Sequence, residues 1–261
     1  MKKVLTIAGS DSSGGAGIQA DIKTMTMHGV YAMSVITALT AQNTTGVRAI
    51  YLVSPEFLKQ QIDAVFEDIR PDAVKIGMVS TPEQAEIIAE RLKFYQAENI
   101  VTDPVAVSTS GSELSTAETY EVLKNKVFPL SVLITPNIPE AELISGMKID
   151  TPEDMVRVSE KISEKYRCSV LCKGGHLKET ADDFLYSESR GIWFRGERLT
   201  ADELHGTGCT LSSAIASNLA KGYGLEKSVQ YAKKYVTECI ESVSDIGHGC
   251  KPLNHMKGVF K

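Results

Sequence analysis

Short apolar runs alternate with longer amphipathic segments along most of the chain. The first run, residues 4–9, is continuous and contains β-branched residues, as in a buried strand, and residues 18–27 follow it with a helical period. The alternation continues to the last third of the chain. It predicts further strands at residues 31–39, 73–78, 100–105, 132–137 and, with a glycine turn, 169–176, and further helices at residues 55–69, 82–96, 116–126, 139 onward, 151–166, 211–222 and 225–244.

This order of elements indicates the fold class. Strands that alternate with helices form parallel sheets with helices packed on both faces. Residues 183–186 and 191–194 depart from the alternation and predict a hairpin around residues 187–190. No linker, repeat or low-complexity segment divides the sequence. We therefore expect a single α/β domain over residues 1–261, built as three layers around a mostly parallel sheet.

Composition and charge narrow the classes of function. Apolar residues make up 43% of the chain, and the net charge is -5 with the 28 lysines and arginines dispersed. This pattern argues against a nucleic-acid partner and favours a small-molecule ligand. No apolar run approaches the ~20 residues of a membrane span, so we expect a soluble, cytoplasmic protein. The five cysteines lack paired C-x-x-C spacing, which supports neither a disulfide framework nor a zinc site.

The most distinctive stretch is residues 205–210, His-Gly-Thr-Gly-Cys-Thr, which runs into a segment of small residues. Gly206 and Gly208 allow a tight turn and a close approach to a ligand, and the small residues predict a tightly packed helix. The N–H groups and dipole of a helix start attract an anion, and a thiolate at Cys209 would be favoured there. The stretch is either an anion hole with a candidate base or a glycine cap beside a small buried cysteine.

A second glycine loop, residues 10–17, follows the first predicted strand. Gly15-x-Gly17-x-x-Ala20 fits the dinucleotide fingerprint formally, but its glycines come several residues after the strand and no acid stands about 20 residues further on. The lysine of a Walker loop is also missing. The loop therefore fits neither of these nucleotide-binding motifs, and a different ligand could contact its backbone. Asp21, in the helix that follows, is either a functional carboxylate or a solvated first-turn acid.

Polar side chains also follow the predicted strands, where ligands of parallel sheets lie. Gln42 and Asn43 could read the edge of a heteroaromatic ring or simply form a turn. Asp103, which precedes a proline, is either a carboxylate positioned at the ligand end of a strand or a residue that starts a turn. Asn137 and Glu140 have the spacing of a helix capping box, and Glu140 could alternatively orient a hydrated Mg²⁺ ion.

The small, polar residues 108–115 could form a mobile lid.

Seven segments in order resemble the hydroxymethylpyrimidine/phosphomethylpyrimidine kinases of thiamine biosynthesis, within the ribokinase-like kinases. They are residues 8–21 (AGSDSSGGAGIQAD), 40–44 (TAQNT), 75–78 (KIGM), 103–105 (DPV), 135–141 (TPNIPEA), 173–176 (KGGH) and 205–210 (HGTGCT). The resemblance implies a three-layer ribokinase-like fold, ATP and Mg²⁺, and a homodimer. It also implies two phosphoryl transfers, first to the hydroxymethyl group of a pyrimidine and then to its monophosphate.

The resemblance also implies roles for individual residues. Cys209 falls at the position of the catalytic base, and Gly206, Thr207 and Gly208 supply N–H groups to the transferring phosphoryl. Asp103 and Glu140 belong to the magnesium site, which Asn137 helps to organise. The nucleotide side comprises Lys173, Asn137 and Thr207, and the residues that hold the pyrimidine are Gly9, Asp21, Gln42, Met78 and Val105.

Two alternatives to this function are considered. Pyridoxal kinases share the first glycine loop and the final Gly-x-Gly-Cys, but they carry a lid cysteine where this chain has Ser108, and they lack the amide that Gln42 supplies. A nucleotide-binding regulator without catalysis would not need Cys209, Glu140 and Asp103 together. Both comparisons favour the pyrimidine kinase.

Overall fold

A nine-stranded, mostly parallel sheet forms the centre of the protein. The computed structural model describes residues 1–105, 115–175, 181–196, 204–243 and 245–256, so residues 108–114 of the expected lid lie outside the described part. The strand order is β3-β2-β1-β4-β5-β6-β7-β8-β9. The strands are β1 (Lys3–Asp11), β2 (Tyr31–Asn43), β3 (Gly46–Leu52), β4 (Ala73–Ile76), β5 (Ile100–Thr102), β6 (Leu133–Ile134), β7 (Ser169–Cys172), β8 (Asp183–Ser187) and β9 (Arg190–Phe194).

Six neighbouring strands of the sheet pair in parallel, and they are β2, β1, β4, β5, β6 and β7. The outer strands β3, β8 and β9 pair antiparallel with their neighbours. The predicted hairpin is confirmed as β8 and β9. Two short strands, β10 (Leu204–His205) and β11 (Lys251–Pro252), form a separate parallel pair that joins the C-terminal segment to the start of a helix.

Helices cover both faces of the sheet. They are α1 (Gly17–Met27), α2 (Pro55–Asp68), α3 (Pro82–Phe94), α4 (Ala117–Val122), α5 (Ile138–Ser145), α6 (Pro152–Tyr166), α7 (Thr207–Ala220) and α8 (Leu225–Glu241). A π-helical turn, Leu123–Val127, and a 3-10 turn, Phe128–Leu130, continue α4. None of the described helices is long and apolar enough to cross a membrane.

Alternation along β1 shows why the molecule has three layers. Leu5 and Ile7 enter one buried cluster, which is completed by apolar side chains of α2, α3, α5 and α6. Val4 points to the other face and joins a cluster built from α1, α7 and α8. Successive strand residues face opposite sides, so each face buries its own set of helices. The expected three-layer α/β fold is confirmed.

Several helix starts follow directly from the sequence. Ser54, Thr81 and Thr151 each precede a proline, and each side chain accepts a hydrogen bond from the backbone N–H three residues further on. A hydroxyl at the N-cap satisfies a backbone donor that has no partner within the helix, and proline fits the first helical position because it has no N–H to satisfy.

The second strand is longer than the apolar pattern predicts. β2 continues to Asn43 and pairs antiparallel with β3, with Gln42 opposite Val47 and Asn43 opposite Gly46. The side chains of Ile50 and Tyr51 in β3 are exposed. The pattern missed β3 because a strand that buries neither face does not need alternating polar residues. Gln42 therefore lies within a two-stranded extension of the sheet, whereas Asn43 ends the strand and accepts hydrogen bonds from Thr45 in the turn that follows.

Candidate active site

The site is built around the start of α7. Gly206 is the N-cap and adopts a left-handed conformation, φ 87°, that disfavours other residues. A Cβ there would also collide with the carbonyl oxygen of Gly15. Its own carbonyl accepts the backbone N–H of Thr210 at 2.9 Å, which closes the first turn. The glycine loop after β1 and the start of α7 are thus in direct contact, and α7 begins at Thr207, four residues before the predicted start.

The C-terminal segment supports this arrangement from outside. The buried His255 contacts the Thr210 hydroxyl through Nε2 at 3.0 Å. The backbone N–H of Cys250 donates to the carbonyl of Thr44, in the turn between β2 and β3, at 2.8 Å. The same segment therefore contacts both the start of α7 and the extension that carries Gln42.

An ion pair lies on one side of the α7 start, at the ends of β5 and β7. Lys173 Nζ is 2.8 Å from Asp103 Oδ1, which also accepts the Thr135 hydroxyl at 3.0 Å. A Cβ at Gly208 would stand 3.1 Å from Asp103 Oδ2 and 3.3 Å from Lys173 Nζ. Burial opposes the charge of Lys173, but the carboxylates of Asp103 and Glu140 raise its pKa above the ordinary value. A permanent cation therefore faces Gly208.

Asn137 and Glu140 form a capping box at the start of α5, as the spacing predicted. The Glu140 N–H donates to Asn137 Oδ1, and the Asn137 N–H donates to Glu140 Oε2, both at 2.8 Å. The box lies beside the ion pair, since Asn137 forms a parallel bridge with Lys173. Capping is thus confirmed, and the role of this pair in organising magnesium stays a prediction.

The carboxylates of Asp103 and Glu140 suit a Mg²⁺ ion whose other ligands are water and substrate phosphates. Within the described ranges, no group of three or more His, Cys, Asp or Glu side chains is placed to hold a metal ion. Asp103 and Glu140 are both buried carboxylates. Protein-bound Mg²⁺ commonly uses one or two carboxylates and completes its shell with water and substrate phosphates. These oxygen donors fit that chemistry and do not form an all-protein cage.

Three of the predicted pyrimidine-site residues lie on the other side of the α7 start. A Cβ at Gly9 would stand 2.8 Å from the Met78 sulfur, so a larger residue at position 9 would displace the Met78 side chain. Met78 is buried, and its carbonyl accepts the Thr37 hydroxyl at 2.7 Å. Gln42 lies in β2, next to β1. Val105 follows β5, and its N–H donates to the Asp103 carbonyl at 2.9 Å, while its contact with the pyrimidine stays a prediction.

Gln42 belongs to a buried polar network that sequence reasoning missed. His205 Nε2 lies 2.9 Å from Asp11 Oδ2 and 3.2 Å from Gln42 Nε2. The carboxylate of Asp11 also accepts backbone N–H groups of the glycine loop, among them those of Gly15 and Ala16 at 3.0 and 2.8 Å. Burial raises the pKa of Asp11, but the hydrogen bonds from His205, Ser13 and Ala16 outweigh it and lower that pKa to about 2.

The network also orients the Gln42 amide. An ionised carboxylate only accepts, so the proton of His205 lies on Nε2 and points to Asp11. The Gln42 atom that faces the same nitrogen is then best assigned as its oxygen, because an amide N–H would meet another N–H. In that orientation the NH2 group of the Gln42 amide lies 3.1 Å from the Thr40 hydroxyl and donates a hydrogen bond to it. Asp11 and His205 stand 194 residues apart, and no local pattern could pair them.

The interpretation of Asp21 as a solvated acid is wrong. Its carboxylate is fully buried and binds the equally buried Lys75, whose Nζ lies 3.0 and 2.9 Å from the two oxygens. Thr6 and Ser213 also donate hydroxyl protons to it, at 2.6 and 2.7 Å. Direct contact between Asp21 and the pyrimidine stays a prediction. The signal missed was Lys75 itself, one cation in the apolar run Ala73–Ile76.

The expectation of a low thiol pKa at Cys209 is also wrong. Burial, with the carboxylates of Asp21 and Asp103, outweighs Lys75 and the Gly17 amide, and raises the pKa of Cys209 to about 11. A helix start favours a thiolate only where the loss of solvation on burial does not oppose it more strongly. Cys209 is half-buried, one residue after Gly208 and two after Thr207, so it does stand beside the N–H groups of the α7 start.

A glycine-lined helix start on a three-layer α/β sheet, with a lysine and two carboxylates on one side and the Gln42 network on the other, indicates a kinase of the ribokinase-like class. The sequence model of the phosphomethylpyrimidine kinase family matches residues 11–254. This chain therefore belongs to that family, whose members are phosphotransferases.

Relatives and solved structures agree with this family. A thiamine biosynthesis bifunctional protein of Geobacter sulfurreducens is 45% identical over 97% of this chain, which spans 52% of that relative. The hydroxymethylpyrimidine/phosphomethylpyrimidine kinase of Bacillus subtilis is 42% identical, over 97% of this chain and 94% of its own length. The chain thus spans about half of the first relative and nearly all of the second.

Two solved structures share the fold. The phosphomethylpyrimidine kinase of Clostridium difficile 630 has a TM-score of 0.83 and 50% identity, over 92% of this chain and all of its own. The pyridoxal kinase of Bacillus subtilis, solved as an ADP complex, has a TM-score of 0.89 and 34% identity, over 98% of both chains. The fold is therefore common to both substrate classes, and only residues of the site can separate them.

Proposed function

We propose that this chain transfers the γ-phosphoryl group of ATP to 4-amino-5-hydroxymethyl-2-methylpyrimidine, and then a second phosphoryl group to the resulting monophosphate. The observation that carries the proposal is the two-sided site around the α7 start. A cation and two carboxylates lie on one side, and the amide of Gln42 lies in a buried polar network on the other. The names of the family and of its relatives support the same pair of reactions.

In the proposed mechanism, the N–H groups of Gly206, Thr207 and Gly208 bind the transferring phosphoryl group. Lys173 holds the charge that develops on the nucleotide phosphates, and preorganised donors of this kind are a large part of phosphoryl-transfer catalysis. The hydroxymethyl oxygen bonds to the γ-phosphorus while the bond to the β-phosphate oxygen breaks and ADP leaves. The hydroxyl proton passes to the sulfur of Cys209 in its thiolate form.

Cys209 is a minor contributor in this mechanism. A thiol whose pKa is about 11 is mostly protonated near neutral pH, so the reactive thiolate is scarce. A loose transition state has formed little of the bond to the attacking oxygen, so little positive charge builds up on that oxygen and its proton can leave late. The anion hole therefore contributes more than the base.

Further features complete the proposal. Asp103 and Glu140 would hold hydrated Mg²⁺, which neutralises phosphate charge when bound. Gly9, Met78 and Val105 would enclose the pyrimidine ring, and Asn137 and Thr207 would border the nucleotide. Residues 1–261 would act as one domain, in a cytoplasmic homodimer. No nucleic-acid or membrane partner is part of the proposal.

A pyridoxal kinase is the second candidate, because a structural neighbour at 34% identity carries that name. The discriminating residue is Gln42. Its amide offers both a donor and an acceptor, as an aminopyrimidine edge requires, and the His205 contact orients it. Ser108, which also separates the two candidates, lies outside the described residues.

A substrate comparison tests the proposal. The purified protein is supplied with ATP and Mg²⁺, and ADP release is followed with the hydroxymethylpyrimidine, with its monophosphate and with pyridoxal, while mass spectrometry identifies each product. We expect kcat/KM to be highest for the pyrimidines and both products to form. ATP hydrolysis without an acceptor is the control. A higher kcat/KM for pyridoxal would overturn the proposal in favour of the second candidate.

A further inference from the structure

The buried pair Asp21–Lys75 is a costly element of the core. Both side chains have an exposed fraction of 0%, and Lys75 stands in β4 between apolar neighbours. Moving two charges out of water costs free energy that a well-packed apolar pair would not cost, so a buried ion pair is weak evidence for stability. A function beyond holding the fold together would account for its presence.

The pair lies beneath the start of α7. Ser213 donates to Asp21 Oδ1 at 2.7 Å, and Cys209 is one helical turn before Ser213, on the same face of α7. Lys75 Nζ reaches the end of β4, since a Cβ at Gly77 would stand 2.7 Å from it. The ammonium therefore lies near both the Cys209 turn and the loop that carries Met78.

Four charged groups from four segments act on the Cys209 sulfur. They are Lys75 in β4, Asp21 in α1, Asp103 after β5 and Lys173 after β7. Lys75 lowers the pKa of the thiol, whereas Asp21 and Asp103 raise it. Lys75 is itself held in its charged form: burial opposes the charge, but the carboxylates of Asp21 and Asp103 outweigh burial and raise the pKa of Lys75.

We propose that Lys75, anchored by Asp21, is a positioning residue of the phosphotransfer site that holds a fixed positive charge against the sulfur of Cys209. Asp21 then acts through Lys75 rather than on the pyrimidine, because hydroxyl and ammonium donors already occupy both of its oxygens. The inference rests on the proposed function only in taking Cys209 to lie at the site of transfer.

Alkylation of Cys209 without substrates tests this charge directly. The rate with iodoacetamide is measured by mass spectrometry from pH 7 to pH 10 in a Cys250→Ser background, since Cys250 is half-buried while Cys168, Cys172 and Cys239 are buried. Lys75→Met should slow alkylation of Cys209 by roughly tenfold, the effect of one pKa unit. Asp21→Asn should accelerate it by a similar factor, because the thiolate then replaces Asp21 as counter-ion of the ammonium.

The opposite signs separate charge from structure. Both substitutions break the same ion pair, so a purely structural role would change the alkylation rate in the same direction in both variants. Alkylation rates that change in the same direction in Lys75→Met and Asp21→Asn, or that do not change, would overturn the proposal. Lys2→Met is the matched control, since it breaks an exposed pair with Asp72 at the opposite ends of β1 and β4 and should leave the rate unchanged.

A second comparison covers the case in which Lys75→Met does not fold, because it leaves Asp21 buried without a counter-ion. Asp21→Asn is then compared with Asp21→Asn/Lys75→Met, which differ only in the ammonium. Slower alkylation in the double variant supports the proposal, and equal rates overturn it. Neither result depends on the pyrimidine or on ATP, so failure of the proposed function would show in the kinase assay and not here.

Discussion

The two sides of the α7 start are built differently. On the nucleotide side, Asp103 binds Lys173 and Thr135 through Oδ1, while Oδ2 faces Gly208. On the pyrimidine side, the buried carboxylate of Asp11, in the same network as Gln42, accepts hydrogen bonds on both oxygens. The nucleotide side therefore has groups that can rearrange around a ligand, whereas the pyrimidine side is a fixed frame.

The difference matches what each ligand requires. A triphosphate brings charge and a cation, so the groups that meet it must exchange partners on binding. A neutral ring is recognised by shape and by a few oriented donors and acceptors, which work best when they are fixed beforehand. Substitutions on the nucleotide side should therefore reduce kcat most, and those on the pyrimidine side should change KM and stability.

The largest effect is expected from Gly208→Val. Its side chain would enter the space between Asp103 Oδ2 and Lys173 Nζ, where even a Cβ is 3.1 and 3.3 Å from these atoms. Turnover should be nearly abolished, by about 10³-fold or more in kcat, because the phosphoryl approach is blocked. Steady-state kinetics measure the loss, and circular dichroism checks the fold. A folded variant with at least a tenth of the wild-type kcat would show that this face of α7 is not the phosphoryl site.

A smaller loss is expected from Glu140→Gln, which separates the two roles of the capping box. Glutamine keeps an oxygen that can accept the Asn137 N–H, as Oε2 does at 2.8 Å, but it removes the charge. If Glu140 also organises Mg²⁺, kcat should fall by about 10²-fold and the Mg²⁺ concentration for half-maximal rate should rise. Normal kcat, with stability lowered by no more than about 1 kcal/mol, would leave capping as the role of Glu140.

The sequence predicted the helices and strands and their order better than the contacts between side chains of the site. Helix starts at Ser54, Thr81 and Thr151 follow from local chemistry, and the order of elements follows from apolar periodicity. The partners of Asp11 and Asp21 did not follow, because His205 and Lys75 reach them only after the sheet and α7 have packed. Local patterns identify which residues can carry charge, and tertiary packing decides what they meet.

On the pyrimidine side, Gln42→Met should affect one substrate selectively. The amide contacts His205, and its loss would leave a buried polar edge of the bound ring without a partner, at a cost of roughly 1 to 3 kcal/mol. KM for the pyrimidine should rise about tenfold or more while KM for ATP stays nearly constant. The control is Asn43→Ala, a neighbouring amide that accepts hydrogen bonds from Thr45 within its own turn. Equal changes in both KM values would place Gln42 outside the pyrimidine site.

The smallest effect concerns stability, and it tests whether the pyrimidine side is held by the Asp11 carboxylate. The folded-state pKa of Asp11 is about 2, below its ordinary value of 3.8. A depressed carboxyl pKa stabilises the fold above the ordinary value, and this contribution is lost as the pH falls from about 4 towards 2. The difference corresponds to about 2 kcal/mol. Denaturant unfolding should therefore find Asp11→Asn less stable than wild type by about that amount at pH 7, with the gap narrowing below pH 4. A gap that stays constant down to pH 2 would mean that the stabilisation comes from the shape of the loop and not from the charge of Asp11.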